Sequence, residues 1–316
     1  MKIKNDRFYS LGFTLFFVIS VFISKCNLPI DKDKRFPYVI YKPDNKYVLQ
    51  HKLTEVSGLS FISDREVALI EDESGSVFIY DLGKNVVERK ITFDKKGDYE
   101  DVEMVGDTAY VLRSDGKIFE LENISGSRSQ LKENKYNTSL SRQNNTEGLC
   151  YDNKSKLLLI ACKDKPGIGK TGKKYENKKA IYSFNTETKT FSDTPYVLID
   201  INEVQKTARG VHTNAIRKLI RFYTDNRESH DFEPSGLSIQ PLTGDLYIIS
   251  SVGKLLVIVS PEGKLLNVIK LPPSIFKQPE GIAFDSIGNM YISNEGRNGK
   301  GNILRFNYVK DQSFTL

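Results

Sequence analysis

The chain reads as an all-β protein, a five-bladed β-propeller with a helical insertion in its third blade, on three observations. A short phrase recurs five times: Glu55-Val-Ser-Gly-Leu59, Glu100-Asp-Val-Glu103, Glu147-Gly-Leu149, Glu233-Pro-Ser-Gly-Leu237 and Glu280-Gly-Ile282. The glutamates lie 45, 47, 86 and 47 residues apart, and self-similarity at such a period marks a repeat architecture whose units cannot bury a core alone. Each phrase opens a set of short apolar segments parted by turn residues, four to a full unit, which is the pattern of a propeller blade. The third observation is compositional: 18 Phe, 16 Tyr and no Trp, an aromatic load that suits pleated sheet.

The amino terminus carries Lys2, Lys4 and Arg7 ahead of an apolar run from Leu11 to Ile23. That run is short for a bilayer span, which takes about 20 residues, and suits the core of an export signal over residues 1–25. Ile23-Ser24-Lys25-Cys26 resembles a bacterial lipoprotein cleavage box, in which Cys26 becomes the lipidated first residue; Lys25 stands where a small residue is usual. An uncleaved anchor and ordinary cleavage nearby are the alternatives. All three place the domain outside the cytoplasm, and the leading reading holds it in the cell envelope, anchored to a membrane. Loss of residues 1–25 takes the net charge from +6 to +3, too slight for a nucleic-acid partner. Residues 26–46, with Pro29, Pro37 and Pro43 among mixed Asp and Lys, read as a solvated tether. The propeller is expected over residues 47–316.

The two carboxy-terminal units show the blade pattern most plainly. After Glu233 come Leu237-Ser-Ile239, the turn Pro241–Asp245, and strands at Leu246–Ser250, Lys254–Val259 and Leu265–Leu271. After Glu280 come Gly281–Asp285, the turn Ser286–Asn289, Met290–Ser293 and Asn302–Phe306, with no fourth strand. Tyr47–Leu53, ahead of the first phrase, is expected to supply it and close the ring. The long middle spacing holds one set of strands (Gly148–Tyr151, Leu157–Ala161, Ala180–Phe184, Tyr196–Ile201) and two insertions. One is the lysine-rich loop Lys163–Lys179. The other, Asn202–Asp231, contains an amphipathic helix with Ile216, Leu219, Ile220 and Tyr223 on one stripe. It is expected to lie over the acid face as a lid or docking surface, or to patch the flank of its blade. Cys150 and Cys162 fall on consecutive strands that turn near Asn153 and Lys154, in a register too far apart for a disulfide. They read as small buried residues.

If each first strand starts at its acid, antiparallel pairing gathers the five acids on one face. The acidic turn Glu71-Asp72-Glu73, Asp115, Glu295, the lysine loop and the helical insertion join them there. The phrases Glu55-Val-Ser-Gly-Leu-Ser60, Asp72-Glu-Ser-Gly75, Gly97-Asp-Tyr-Glu100, Glu147-Gly-Leu149, Ser235-Gly-Leu237 and Gln278-Pro-Glu-Gly-Ile-Ala-Phe-Asp285 resemble the SdiA-regulated, YjiK-like family of bacterial envelope proteins over roughly residues 47–308. The resemblance implies a five-bladed propeller, distantly like NHL repeats, with a calcium ion near the channel. It implies no known reaction.

Carboxylates converging on a narrow channel repel one another and must be protonated, separated by water or neutralised by a cation. Ca²⁺, with six to eight oxygen ligands in loose geometry, is the expected cofactor. The proposed ligands are Glu55, Glu100, Glu147, Glu233 and Glu280, with Asp101 and Glu103 as supplements. Alternatively, each glutamate simply caps backbone N–H groups where its strand begins. Gly169-Lys170-Thr171 is not a phosphate loop, because Asp164 stands where the motif needs glycine. Its seven-lysine loop would meet anionic groups or only solvent. His51, His212 and His230 are the only histidines, too few for a His-rich metal hydrolase; a Ser-His-acid triad would have to use His212 or His230. The leading reading is an envelope-anchored, calcium-binding module that binds or senses a protein or small molecule on the acid face. The competitor is a metal-dependent hydrolase of phosphate esters or lactones, using the channel-mouth ion.

Overall fold

Each of the five phrases opens the innermost strand of a four-stranded antiparallel sheet. The computed structural model describes residues 36–210, 231–297 and 299–309, of which Tyr38–Tyr308 form one unit. A short strand, β1 (Asn45–Val48), comes first. Blade 1 is β2 (Val56–Phe61), β3 (Glu66–Glu71), β4 (Ser76–Asp81) and β5 (Val86–Thr92). Blade 2 is β6 (Tyr99–Val105), β7 (Thr108–Arg113), β8 (Ile118–Glu122) and β9 (Lys132–Tyr136). Blade 3 is β10 (Thr146–Asp152), β11 (Leu157–Cys162), β12 (Lys178–Asn185) and β13 (Thr190–Asp200). Blade 4 is β14 (Pro234–Ile239), β15 (Leu246–Ser250), β16 (Leu255–Val259) and β17 (Leu265–Lys270). Blade 5 takes β18 (Pro279–Phe284), β19 (Met290–Asn294) and β20 (Asn302–Phe306), and β1 completes it by pairing Tyr47 with Ile303. The first strands neighbour one another in a closed cycle, β2, β6, β10, β14, β18 and back to β2. The fold is a five-bladed β-propeller.

The core lies between blades rather than within them. Central strands such as β4 and β16 are buried along their whole length, with apolar residues on both faces. The outer strand β9, Lys-Glu-Asn-Lys-Tyr, is polar and mostly exposed, and its lysines discourage edge-to-edge pairing. Phe93, Tyr99 and Phe119 pack together between blades 1 and 2, and Tyr136 lies against Phe184 between blades 2 and 3.

Three expectations change in detail. The closing strand begins at Asn45 and ends at Val48, while His51–Leu53 makes a 3-10 turn that buries Leu53. The tether ends sooner than expected, because Tyr38 and Ile40 are buried in the propeller. Tyr38 wedges between Tyr247 and Phe284, and its hydroxyl donates to the Gly288 carbonyl at 2.7 Å. The helix α1 (Ile201–Gly210) starts straight after β13, with the Asp200 carboxylate accepting from the Asn202 and Glu203 amides. Its Val204 and Ala208 are buried in the cluster shared by blades 3 and 4, so α1 flanks the outer strands β13 and β17. The stripe Ile216, Leu219, Ile220 and Tyr223, His212 and His230, the apolar run Leu11–Ile23 and Cys26 lie outside the described residues. Cys150 sits opposite Leu159 and Cys162 opposite Thr146; both thiols are free and buried. Among the described residues no helix is long and apolar enough to cross a membrane.

Candidate metal centre

Every first strand carries a bulge at the same place. One extra residue falls between Val56 and Leu59, Tyr99 and Asp101, Thr146 and Gly148, Pro234 and Gly236, and Pro279 and Ile282. A bulge re-aims the side chain it inserts. Aligned on it, the equivalent residues are Ser57, Glu100, Glu147, Ser235 and Glu280. Glu55 and Glu233 stand two residues earlier, level with Asp98, Asn145 and Gln278. The expectation of five equivalent glutamates is therefore corrected to two tiers, separated along the strand by roughly 7 Å at a rise of about 3.3 Å per residue.

The glycine, not the glutamate, sets the register. A Cβ on Gly236 would stand 2.3 Å from the Glu280 carbonyl oxygen, and one on Gly281 would stand 2.5 Å from that of Ser57. Neighbouring first strands touch there, backbone to backbone. Glu147 and Glu280 directly precede their glycine, whereas Glu55 and Glu233 precede theirs by three residues. In blade 2 Asp101 fills the glycine position. Its carboxylate accepts from the Val102 amide at 2.8 Å and the Leu149 amide at 2.7 Å, stapling β6 to β10. Glu103 accepts from the Tyr151 amide at 3.3 Å. Asp101 and Glu103 are thus committed to backbone N–H groups rather than supplementing a metal site.

The inner tier contains its own cation. Lys163, just past the end of β11, places Nζ 2.8 Å from Glu147 Oε1. Burial works against the ammonium, but Glu147, Glu280 and Glu100 together hold its pKa above the ordinary value. Burial, then the charges of Glu147 and Asp98, push Glu100 up to about 10, so it is a neutral acid at pH 7. Burial and Glu147 push Glu280 up to about 7. Lys179, also buried, donates to the Lys163 carbonyl, and Glu233 lies near it. Burial raises Glu147 as well, against the pull of Lys163, so one ammonium stands among three acids that burial drives toward their neutral forms.

The mouth tier differs. Glu55, Glu71 and Asp72 each bring a carboxylate oxygen within 4.8 Å of the others, the one such set of three among the described residues. Glu71 is held by accepting from the Glu73 and Ser74 amides at 3.1 and 2.6 Å. Asp72 Oδ1 is buried with no hydrogen-bond partner. Burial first, then the charges of Glu55, Glu71, Glu295 and Glu73, raise the Asp72 pKa to about 7. The Glu295 carboxylate accepts from the Gln278 side-chain amide, whose oxygen in turn accepts from Arg297. Lys96 meets Glu73 at 3.0 Å but is largely in water. An all-oxygen set with an orphaned oxygen fits a hard divalent cation such as Ca²⁺. The donors are Glu55, which the sequence singled out, and Glu71 and Asp72, which it placed on the same face but not in the site.

Other candidates find plain roles. Asp115 accepts a bidentate pair of bonds from Arg113 at 2.9 and 2.7 Å. Gly169–Tyr175 is a 3-10 turn rather than the α-helix a phosphate loop would open, and His51 is exposed.

A family model described as SdiA-regulated matches residues 39–298. The chain belongs to the SdiA-regulated family. No curated protein matches it. Among solved structures, a glutaminyl cyclase from Myxococcus xanthus is 12% identical with a TM-score of 0.54, covering 85% of this chain and 97% of that one. A luciferin-regenerating enzyme is 11% identical (TM-score 0.45; 83% and 95% covered), and a streptogramin B lyase is 9% identical (TM-score 0.45; 83% and 97% covered). At 12% identity the likeness to the cyclase speaks to fold alone.

Proposed function

We propose that this SdiA-regulated propeller is an envelope-anchored, calcium-binding module that binds or senses a ligand at its acid mouth. The observation that carries the reading is the mouth tier: three carboxylates within 4.8 Å of one another, one with a buried oxygen that has no partner. Such a set is costly without a counter-charge. Glu55, Glu71 and Asp72 would hold the ion, which would supply a Lewis-acidic point for an oxygen of the incoming ligand. Glu100, Glu147 and Glu280 would line the channel below, with Lys163 offering a hydrogen-bond donor to the same ligand. Calorimetric titration of calcium into the parent, Asp72→Asn and Glu147→Gln proteins tests this. The parent should bind, Asp72→Asn should weaken binding at least tenfold, and Glu147→Gln should bind within a few-fold of the parent. Absence of calcium binding at millimolar concentration, or a larger loss in Glu147→Gln than in Asp72→Asn, rejects this site. Anchoring through Cys26 is tested separately by fatty-acid labelling, which Cys26→Ala should abolish.

A further inference from the structure

The face opposite the acid mouth carries an apolar patch where the amino-terminal segment joins the propeller. In each blade the first strand runs away from the mouth, so the β14–β15 and β18–β19 turns lie on the far face. Leu242 at the tip of the first turn is 53% exposed, and Ile287 at the tip of the second is 66% exposed. The two turns touch, since a Cβ on Gly288 would stand 2.9 Å from Leu242 Cδ1. Tyr38 is seated between them: its hydroxyl donates to the Gly288 carbonyl and accepts from Gln240 Nε2 at 3.3 Å. Val39 and Tyr41, the next apolar residues along the chain, are 51% and 66% exposed. Four large apolar side chains therefore stand in water around the point where the propeller begins. Lys42, Asp44 and Lys46 are exposed along the same segment, two cations to one anion.

We infer that this far face rests on the phospholipid surface that the chain's own amino-terminal segment enters, so that the acid mouth points away from the membrane. The inference rests on the anchored reading above and extends it to orientation. Cys26 and Tyr38 are twelve residues apart, a reach of at most about 43 Å at about 3.6 Å per residue. The tether enters the propeller at Tyr38, which is buried in this face, so drawing the chain in pulls this face toward the bilayer. A patch of Val, Tyr, Leu and Ile with flanking lysines is the composition that partitions into the headgroup boundary. A lone exposed Leu or Ile needs no explanation, whereas a contiguous group does.

The chain has no Trp, so a single introduced Trp reports its surroundings without background. The full-length chain would be reconstituted into vesicles of phosphatidylethanolamine and phosphatidylglycerol, with and without acyl-chain-brominated lipid. Three variants suffice: Leu242→Trp and Ile287→Trp on the far face, and Val252→Trp, 45% exposed in the β15–β16 turn on the mouth face. Leu242→Trp and Ile287→Trp should be quenched at least two-fold by brominated lipid, and Val252→Trp should be unaffected. Chain that floats with vesicles but shows no quenching at Leu242→Trp and Ile287→Trp, or more at Val252→Trp, overturns the orientation and leaves the anchor standing. Chain that does not float with vesicles overturns both. Blue-shifted emission from Ile287→Trp without vesicles, together with a dimeric mass, assigns the face to a second copy of the chain and overturns the lipid contact.

Discussion

Asp72 carries the pH behaviour of the mouth. A carboxyl whose folded pKa lies above its unfolded value binds more protons in the folded state, so stability falls as pH rises between the two values. For Asp72 and Glu280, both pushed up to about 7, that window runs from near 4 to near 7. Calcium-free protein should therefore be less stable at pH 8 than at pH 5, and saturating calcium should remove the Asp72 part of that loss; thermal melts across pH with and without calcium check this. Calcium binding near pH 6.5 should also release a proton, read as a binding enthalpy that depends on the buffer's ionisation heat. Glu120 sets the acid side. Burial pushes it up, but bonds from Lys189, Tyr110 and Tyr136 outweigh that and hold it to about 2. A second residue-scale outcome concerns Lys163. Lys163→Met strands Glu147 and should cost about 3 kcal/mol, the low end for a broken buried pair because Lys163 keeps a quarter of its side chain in water. Adding Glu147→Gln should recover most of it in a double-mutant cycle. Lys163 was read as the first residue of a solvated loop. Its position was legible only through register, since it follows β11 as Asp72 follows β3 and Glu295 follows β19. Charge counting along the chain does not reveal that.

The bulged first strand is the element that organises the channel. Gly236→Ala would drive a methyl to 2.3 Å from a backbone carbonyl of β18, where no flexible side chain can yield. It should cost about 1–3 kcal/mol, the usual range for overpacking, seen as a lower denaturation midpoint at unchanged slope. Most strands were legible as elements. The Leu246–Ser250 and Asn302–Phe306 strands fall where alternation and flanking turns put them, and the closing strand was found from the gap it fills. Repetition made this easy, because each unit corroborated the others. What repetition hid was the difference between Glu-Gly and Glu-Val-Ser-Gly. Both look like an acid at a strand head, yet the backbone contact at the glycine moves Glu55 and Glu233 a tier outward. Counting from the glycine would have separated them. The stripe read as a helix over Ile216–Tyr223 lies outside the described residues; α1 at Ile201–Gly210, whose first turn Asp200 caps, was not read from the sequence.

At the scale of the molecule, the ring holds because its ends meet in one blade. Tyr38 ties the start of the chain to blades 4 and 5 through three aromatic neighbours, Tyr247, Phe284 and Tyr308. Tyr38→Ala should cost about 3–5 kcal/mol, as for a buried aromatic truncated in a core, and should speed amide exchange in β1 and β20 more than in β6 to β9. The pairing of Asn45 with Arg305 joins residues 260 apart, so the first strand to be made has no partner until almost the last residue is available. A chain made from its amino terminus must therefore wait with an unpaired edge until its tail has been made. Stopping synthesis late would leave every blade but the fifth able to form and the whole circle open. The clasp thus works as a proof of completeness, accepting only chains delivered to their final strand.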